Sequence, residues 1–569
     1  MKLLSLEVGE QFRSLQPNFQ IEFHKLTEKG LQSMSEFQPF CFAGLNGCGK
    51  SNVLEALAGI FYHLEFSVAK FRPKSFEKHY RRNISSPDVY VIKYLICSKT
   101  EGFRAVTLTD VVTITKEKGR EPRMFVQSLP YDNKNPGHEI SLIPISGLEE
   151  SAAGKDFLPD LVVGYTSGEN EILSLPFIKT RLVHYDEYKE ANAKGYSFKE
   201  SETSLLFIDA EMSQAVLLAC MIFEDDKALK PLKDELGIIN IQSFRMNLNN
   251  QIMEVDSNTK EKYSVPILNH IDEIITKLKK CTPFSHTTPP PSLQKNEGSI
   301  EVLTLDFLID KESKKAFREH FKSAFELFQV FQLLYELNNN SISQNAKEEV
   351  YKSKGVYTDG KIPSPHIDDK VFYFLDYLIL KKIDGLDEPK ELLLREFSDG
   401  EHQFIHTMGI CLMLKDRRTL LLLDEPETHF NPSWRAKFIK VLSDSMEAGG
   451  SNHLLKDVIL TSHSPYIISD CLPNNVIFFR RNDDTKKIEA KSAKELGFNT
   501  YGSSVEIISD KLFGYDQTIG DLSNERLNII DNMSIDSLEE REIVKMELQE
   551  LGDSIERDYI LSKLYRANN

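Results

Sequence analysis

The tightest restriction on this chain's fold comes from a glycine-rich turn, GLNGCGKS, at residues 44–51. It fits the pattern G-x-x-x-x-G-K-[ST]. Phe40, Cys41, Phe42 and Ala43 form a short apolar strand before it, and residues 52–64 carry apolar side chains at helical spacing after it. A strand, a glycine loop and a helix N-terminus in that order gather backbone N–H groups around an anion, and the helix dipole adds positive potential. The pattern places Asn46, Gly47, Cys48, Gly49, Lys50, Ser51 and Asn52 around phosphates. Lys50 reaches the outer phosphates, and the Ser51 hydroxyl is a ligand for Mg²⁺. A chance glycine turn would not bring both flanks with it.

Three further elements follow in order near residue 400. FSDGEHQ (397–403) precedes an apolar helical stretch, TLLLLDEP (419–426) is a buried strand ending in two carboxylates, and DVILTSHSP (457–465) is a strand ending in a histidine. Each alone is common. Beside a phosphate loop, a strand-end carboxylate is where Mg²⁺ takes an oxygen partner, which suits Asp424. Glu425 is placed to polarise an attacking water. His463, one strand over, can sense or hold the terminal phosphate.

Composition narrows the class. The 569 residues are 41% hydrophobic and 27% charged, an ordinary globular mixture with room for several domains. No apolar run is long enough to span a bilayer, and the N-terminus lacks the apolar core of a signal peptide. The net charge of −17 excludes a uniformly basic nucleic-acid coat but not local basic patches. The seven cysteines are scattered and form no CxxC pair, as expected of reduced thiols in a cytoplasmic protein.

Taken together, these motifs resemble the ABC-type ATPase head. Residues 44–51 look like Walker A, Ser398, Gly400 and Glu401 like the signature loop, Asp424 and Glu425 like Walker B with its catalytic glutamate, residues 426–429 like the D-loop, and His463 like the H-loop. G-x-N-G-x-G-K-S and DEPE-x-H resemble the branch of SMC, RecF and OLD-nuclease ATPases more than transporters. The resemblance implies an α/β P-loop head of two lobes, ATP and Mg²⁺ as ligands, Ser51 and Asp424 at the metal, and Glu425 and His463 in catalysis. It also implies head-to-tail dimers with ATP between Lys50 of one copy and the Ser398 loop of the other. Arg13, in a stretch similar to an N-terminal strand of SMC-like heads, is expected near the nucleotide. Gln127 is the candidate for the Q-loop glutamine.

The chain departs from the long-armed members. More than half of it separates Lys50 from Ser398, yet no heptad run, internal repeat or zinc-hook CxxC fills the gap. The expected organisation is lobe I over 1–225, a globular, mostly helical insertion over 226–390 with a proline-rich linker at 282–292, lobe II over 391–502, and a C-terminal helical extension over 503–569. GYTSGENE (164–171) looks like a second signature but reads more simply as a capped turn. Residues 70–82 hold Lys70, Arg72, Lys78, Arg81 and Arg82 among Phe71, Phe76 and Tyr80. The segment could track a nucleic-acid backbone with rings as stacking platforms, contact a partner, or be a solvated face.

A coil-free head with a globular insertion and a helical tail, together with the pattern of Gly164 to Glu171, the Ser398 loop and the Phe513-Gly514 tail, resembles the PtuA-type ATPases of Septu and retron antiphage systems. That resemblance implies a partner HNH nuclease of the PtuB type and, in retrons, a reverse transcriptase with multicopy single-stranded DNA. No HNH-like cluster or Toprim motif lies in this chain, so the nuclease is expected on another. The rival readings are a RecF/SMC-like repair ATPase acting directly on DNA, a non-hydrolysing ATP-locked scaffold and, more distantly, a transporter ATPase.

Overall fold

The computed structural model describes residues 1–27, 30–31, 37–97, 109–145, 150–167, 171–194, 204–208, 210–249, 251–255, 262–266, 269–288, 302–354, 362, 366–367, 370–383, 385–414, 417–447, 455–482, 484–514 and 519–567. They divide into two units, Met1–Tyr501 and Gly502–Asn569.

The first unit opens with strands β1 (Lys2–Val8), β2 (Phe19–Glu22) and β3 (Phe40–Gly44), which feeds helix α1 (Lys50–Val68). Then come β4 (Tyr90–Cys97), β5 (Thr109–Lys116), β6 (Arg123–Ser128), β7 (His138–Ile140), β8 (Leu161–Thr166), α2 (Glu171–Lys194), β9 (Leu205–Phe207) and α3 (Ala210–Phe223). The middle holds β10 (Ile238–Asn249), β11 (Phe284–Thr288), β12 (Val302–Leu308), β13 (Phe372–Lys381) and β14 (Lys390–Leu393). The last part has α4 (Asp399–Met413), β15 (Thr419–Asp424), α5 (Pro432–Glu447), β16 (Asp457–Thr461), β17 (Val476–Arg481) and β18 (Ile488–Ser492).

A seven-stranded sheet in the order β9-β8-β15-β16-β3-β17-β18 forms the centre, parallel except for the β17–β18 pair. Its inner strands FCFAG, TLLLLD and DVILT are buried at every position. Parallel strands covered on both faces need such unbroken apolar runs. A six-stranded antiparallel sheet, β2-β1-β4-β5-β6-β7, packs beside it. Helix α1 is buried nearly all round. Its Leu57 and Phe61 share one core with Leu6 and Ile92 of the antiparallel sheet and Phe42, Leu422 and Ile459 of the parallel one. This is the expected ABC-type head, in which the helix that leaves the glycine loop is clamped between two sheets.

The segment 226–390 corrects the expectation of a mostly helical insertion. It also carries a five-stranded antiparallel sheet, β11-β12-β10-β13-β14, whose core stacks Phe244 on Phe307 with centroids 4.4 Å apart. The signal was hidden because β10 shifts register against β13 three times, at Ile238/Asn240, Ile241/Ser243 and Ser243/Arg245. Bulges of this kind break the period of two that marks a strand. The start of the expected proline-rich linker is strand too: Phe284 to Thr288 pair with β12, and residues 289–292 lie outside the described ones.

The second unit is helical. Helices α6 (Asp521–Asp531), α7 (Leu538–Gln549) and α8 (Ile555–Ala567) close around Leu527, Ile530, Val544, Leu548, Ile560 and Leu564. All seven cysteines of the chain are buried and form no disulfide. Among the described residues no helix is long and apolar enough to cross a membrane.

Candidate nucleotide site

The parallel register sets Thr166 beside Asp424, Asp424 beside Thr461, and Thr461 beside Phe42. Four strands therefore end on one edge, and the glycine loop leaves β3 from that same edge. Open α/β sheets bind ligands at the carboxyl ends of their strands.

Gly44 turns the chain out of β3 at φ 137°, and a Cβ there would stand 2.2 Å from the carbonyl oxygen of Phe479. Glycine alone permits that approach. Lys50 opens α1 and is 5% exposed; its ammonium donates to the carbonyls of Gly44 (2.9 Å) and Leu45 (3.1 Å). Burial lowers its pKa, and the charges of Glu425 and Asp424 oppose that. Ser51 Oγ donates to Asp424 Oδ1 at 2.9 Å, and Thr461 Oγ1 donates to the same oxygen at 2.7 Å. The Glu425 N–H donates in turn to Thr461 Oγ1 at 3.0 Å. Glu425 sits at φ 49°, a left-handed conformation that a non-glycine residue holds only where its surroundings enforce it. His463 Nε2 lies 3.5 Å from Glu425 Oε1. Burial, reinforced by Lys50, presses the His463 pKa down to about 4, so the ring is neutral at pH 7. Burial and the neighbouring Asp424 charge raise the Glu425 pKa.

Lys50, Ser51, Asp424, Glu425 and His463 are thus brought together. Ser398, Gly400 and Glu401 begin α4 instead. The Ser398 backbone N–H donates to Glu401 Oε2 at 2.8 Å and its Oγ accepts from Glu401 N–H at 3.4 Å, a reciprocal cap. Glu401 also pairs with Lys381. A Cβ on Gly400 would lie 2.8 Å from His429 O, while Gln403 Oε1 accepts the His429 N–H at 3.1 Å. The signature segment therefore rests on residues 426–429, directly downstream of the strand-end acids.

Asn46 and Gly47 are exposed at the loop's tip, and Cys48 and Gly49 are buried. Asn52 Oδ1 accepts from Ser14 Oγ. Arg13 forks onto Glu55 at 2.9 and 3.0 Å and donates to Lys354 O at 2.6 Å. Its guanidinium is held one helical turn beyond Ser51. Gln127 lies on β6 with its amide satisfied by the backbone of Asp132.

In the basic segment, Lys70, Lys78 and Arg81 are exposed and Arg82 is half-buried. Arg72 folds back to donate to the carbonyls of Phe66 (2.9 Å) and Ala69 (3.2 Å), where α1 ends. The stacking-platform expectation fails for two rings. Phe76 is 2% exposed and stacks on Tyr80 at 5.3 Å, and the Tyr80 hydroxyl bonds Ser67 and the His63 carbonyl. They are core residues that fasten the segment down. Of the presumed second signature, residues 164–166 belong to β8, next to the Walker B strand, and 168–170 lie outside the described residues.

Sequence reading missed Thr461 and the role of Glu427. Glu427 is 4% exposed, accepts from Ser462 Oγ, and is pushed up to about 7 by burial. The available signal was the hydroxyl pair Thr461-Ser462 just before His463 at a strand end.

A head of this kind, its strand-end acids on the phosphate-loop edge, resembles that of the ABC-type P-loop ATPases. Residues 225–469 match the family described as "AAA domain, putative AbiEii toxin, Type IV TA system". The Septu protein PtuA of Bacillus thuringiensis is 27% identical over 120 residues, which cover 21% of this chain and 27% of PtuA. The match thus spans about a quarter of that relative's length. The SMC head domain from Thermotoga maritima aligns over 86% of this chain and 99% of its own, at 8% identity and a TM-score of 0.29. Over those 120 residues the chain resembles PtuA.

Proposed function

We propose that this chain binds and hydrolyses ATP and uses that cycle, in the cytoplasm, to control a partner HNH nuclease of an antiphage defence complex. The observation that carries the ATPase reading is the convergence of Lys50, Ser51, Asp424, Glu425 and His463 on one sheet edge. Lys50 neutralises the outer phosphates, and the loop's N–H groups cradle them. Ser51 Oγ and Asp424 Oδ1, hard oxygens already 2.9 Å apart, are the donor chemistry Mg²⁺ takes. When bound, the metal supplies charge neutralisation between phosphates. Glu425, its pKa raised by burial, accepts the proton of the attacking water. His463, neutral and beside it, orients by hydrogen bonding and adds no charge.

Two copies close head-to-tail, with Ser398, Gly400 and Glu401 of one completing the site of the other at the N-terminus of α4. ATP binding stabilises the closed pair, and hydrolysis reopens it. The PtuA likeness supports a nuclease partner, and in a retron setting also a reverse transcriptase with multicopy single-stranded DNA. The C-terminal unit supports a docking role: Leu522 is 83%, Leu538 76% and Ile555 73% exposed on its helices. The exposed Lys70, Lys78 and Arg81 favour one second reading, a RecF-like ATPase acting directly on DNA. Affinity purification of the tagged chain from its native host, with mass spectrometry and sequencing of bound nucleic acid, separates the two. A small HNH protein in the eluate supports the defence reading. Repair factors or random duplex DNA without it would replace that reading with the second.

A further inference from the structure

Beside α1, next to Glu55, Gly59 and Tyr62, lies a cavity of about 330 Å³, the size of a small-ligand pocket. Its wall carries the half-buried Tyr62, beside the packed rings of Phe76, Tyr80 and Tyr351. Its charges are one-sided. Lys179, Lys352, Lys354 and Arg81 line it against one carboxylate, Glu55, which Arg13 already holds.

Lys179 sets the requirement. Its ammonium donates to Ser353 O at 2.6 Å and lies 6.0 Å from the Tyr62 ring centroid. Among the described residues no carboxylate pairs with it, and burial together with the Lys354 charge presses its pKa down to about 8. Even a half-buried ammonium without a counter-ion is costly, so such groups normally keep one. Glu348, near the cavity's cations, is shared between His79 (3.8 Å) and Lys352 (3.9 Å). His63 lines the cavity as well, 2% exposed, with its ring turned to the backbone of Arg81 and Arg82.

An anion for Lys179 and Lys354 and a flat ring against Tyr62 describe a single ligand chemistry. We infer that this cavity binds a nucleoside monophosphate unit, either free or at the end of a strand. The Arg13 guanidinium, bonded to both Glu55 and Lys354 O, ties the cavity lining to the helix that begins at Lys50.

Calorimetry on the full chain tests this with dAMP and 5′-phosphorylated d(pA)4 as probes. At least one probe should bind wild type and Lys50→Ala equally. Lys179→Met should weaken it at least tenfold, while Lys179→Arg stays within about threefold. Lys354→Ala and Ile84→Trp, at the exposed rim, should weaken it as well and serve where Lys179→Met fails to fold. Binding of dAMP identifies the free nucleotide as the source; binding of the tetranucleotide alone identifies a strand end. The inference is overturned if neither probe binds, if affinity is the same in the Lys179, Lys354 and Ile84 variants, or if Lys50→Ala abolishes binding, which would put the probe in the phosphate loop.

Discussion

Asp424 takes two hydroxyls on one carboxylate oxygen, from Ser51 of the phosphate loop and Thr461 of the neighbouring strand. Lys50 stands in the same field, so its removal should cost nucleotide affinity before anything else. In a thermal melt, Lys50→Ala should lose the stabilisation that saturating ATP–Mg²⁺ gives wild type, roughly 3 kcal/mol at a hundredfold excess over Kd. An unchanged shift would dismiss the loop as the nucleotide site. Glu427 gives a pH test. Burial holds its carboxyl up to about 7, above the ordinary 4.5. The neutral form is thus the favoured one, and its contribution to stability is present below pH 4.5 and lost as pH rises through 7. Glu427→Gln stays neutral and can still accept from Ser462. Urea titrations should show it flattening the loss of stability between about pH 5 and 8, with a gain of roughly 1–3 kcal/mol at pH 8. A variant as pH-sensitive as wild type would clear Glu427 of that role. Lys50, Ser51, Asp424, Glu425 and His463 were readable in sequence because each sits in a short motif whose spacing carries the chemistry. Thr461 and Glu427 were not, because their meaning comes from strand register and burial.

At the scale of elements, two close approaches hold the site. Gly44 lets β3 pass the Phe479 carbonyl, so Gly44→Ala should cost the roughly 1–3 kcal/mol of an enforced backbone strain and lower the melting temperature even without nucleotide. A melting temperature equal to wild type would show that the sheet yields there. Gly400 and Gln403 bind α4 to residues 426–429, which joins the strand-end acids to the signature helix within one chain. Ser398→Arg puts a long cation at the exposed mouth of that helix. Nucleotide binding should persist in this variant, while ATP-dependent dimers seen by light scattering disappear; dimers at wild-type strength would remove the signature loop from the closure. The head was legible because its parallel strands are uninterrupted apolar runs. The insertion's sheet was not, since repeated register shifts in β10 erase its periodicity, and a proline-rich composition masked β11.

For the whole molecule, a net charge of −17 is spread unevenly. Residues 502–569 hold fifteen acidic and seven basic side chains beside their exposed leucines and isoleucines. A partner that docks there should present basic and apolar groups together, and its capture should weaken with salt. This tail was legible as a helical extension over 503–569, but its six-residue core was not, because it comes from three helices that are each only weakly amphipathic. One reaction at one edge of the central sheet underlies everything proposed for the chain. Phosphate release from ATP by the purified chain, measured beside Lys50→Ala and Glu425→Gln with bound nucleotide quantified, tests it most directly. Mg²⁺-dependent turnover that falls at least a hundredfold in both variants, with ATP retained by Glu425→Gln alone, is the predicted result. Turnover at the wild-type rate in either variant would contradict it.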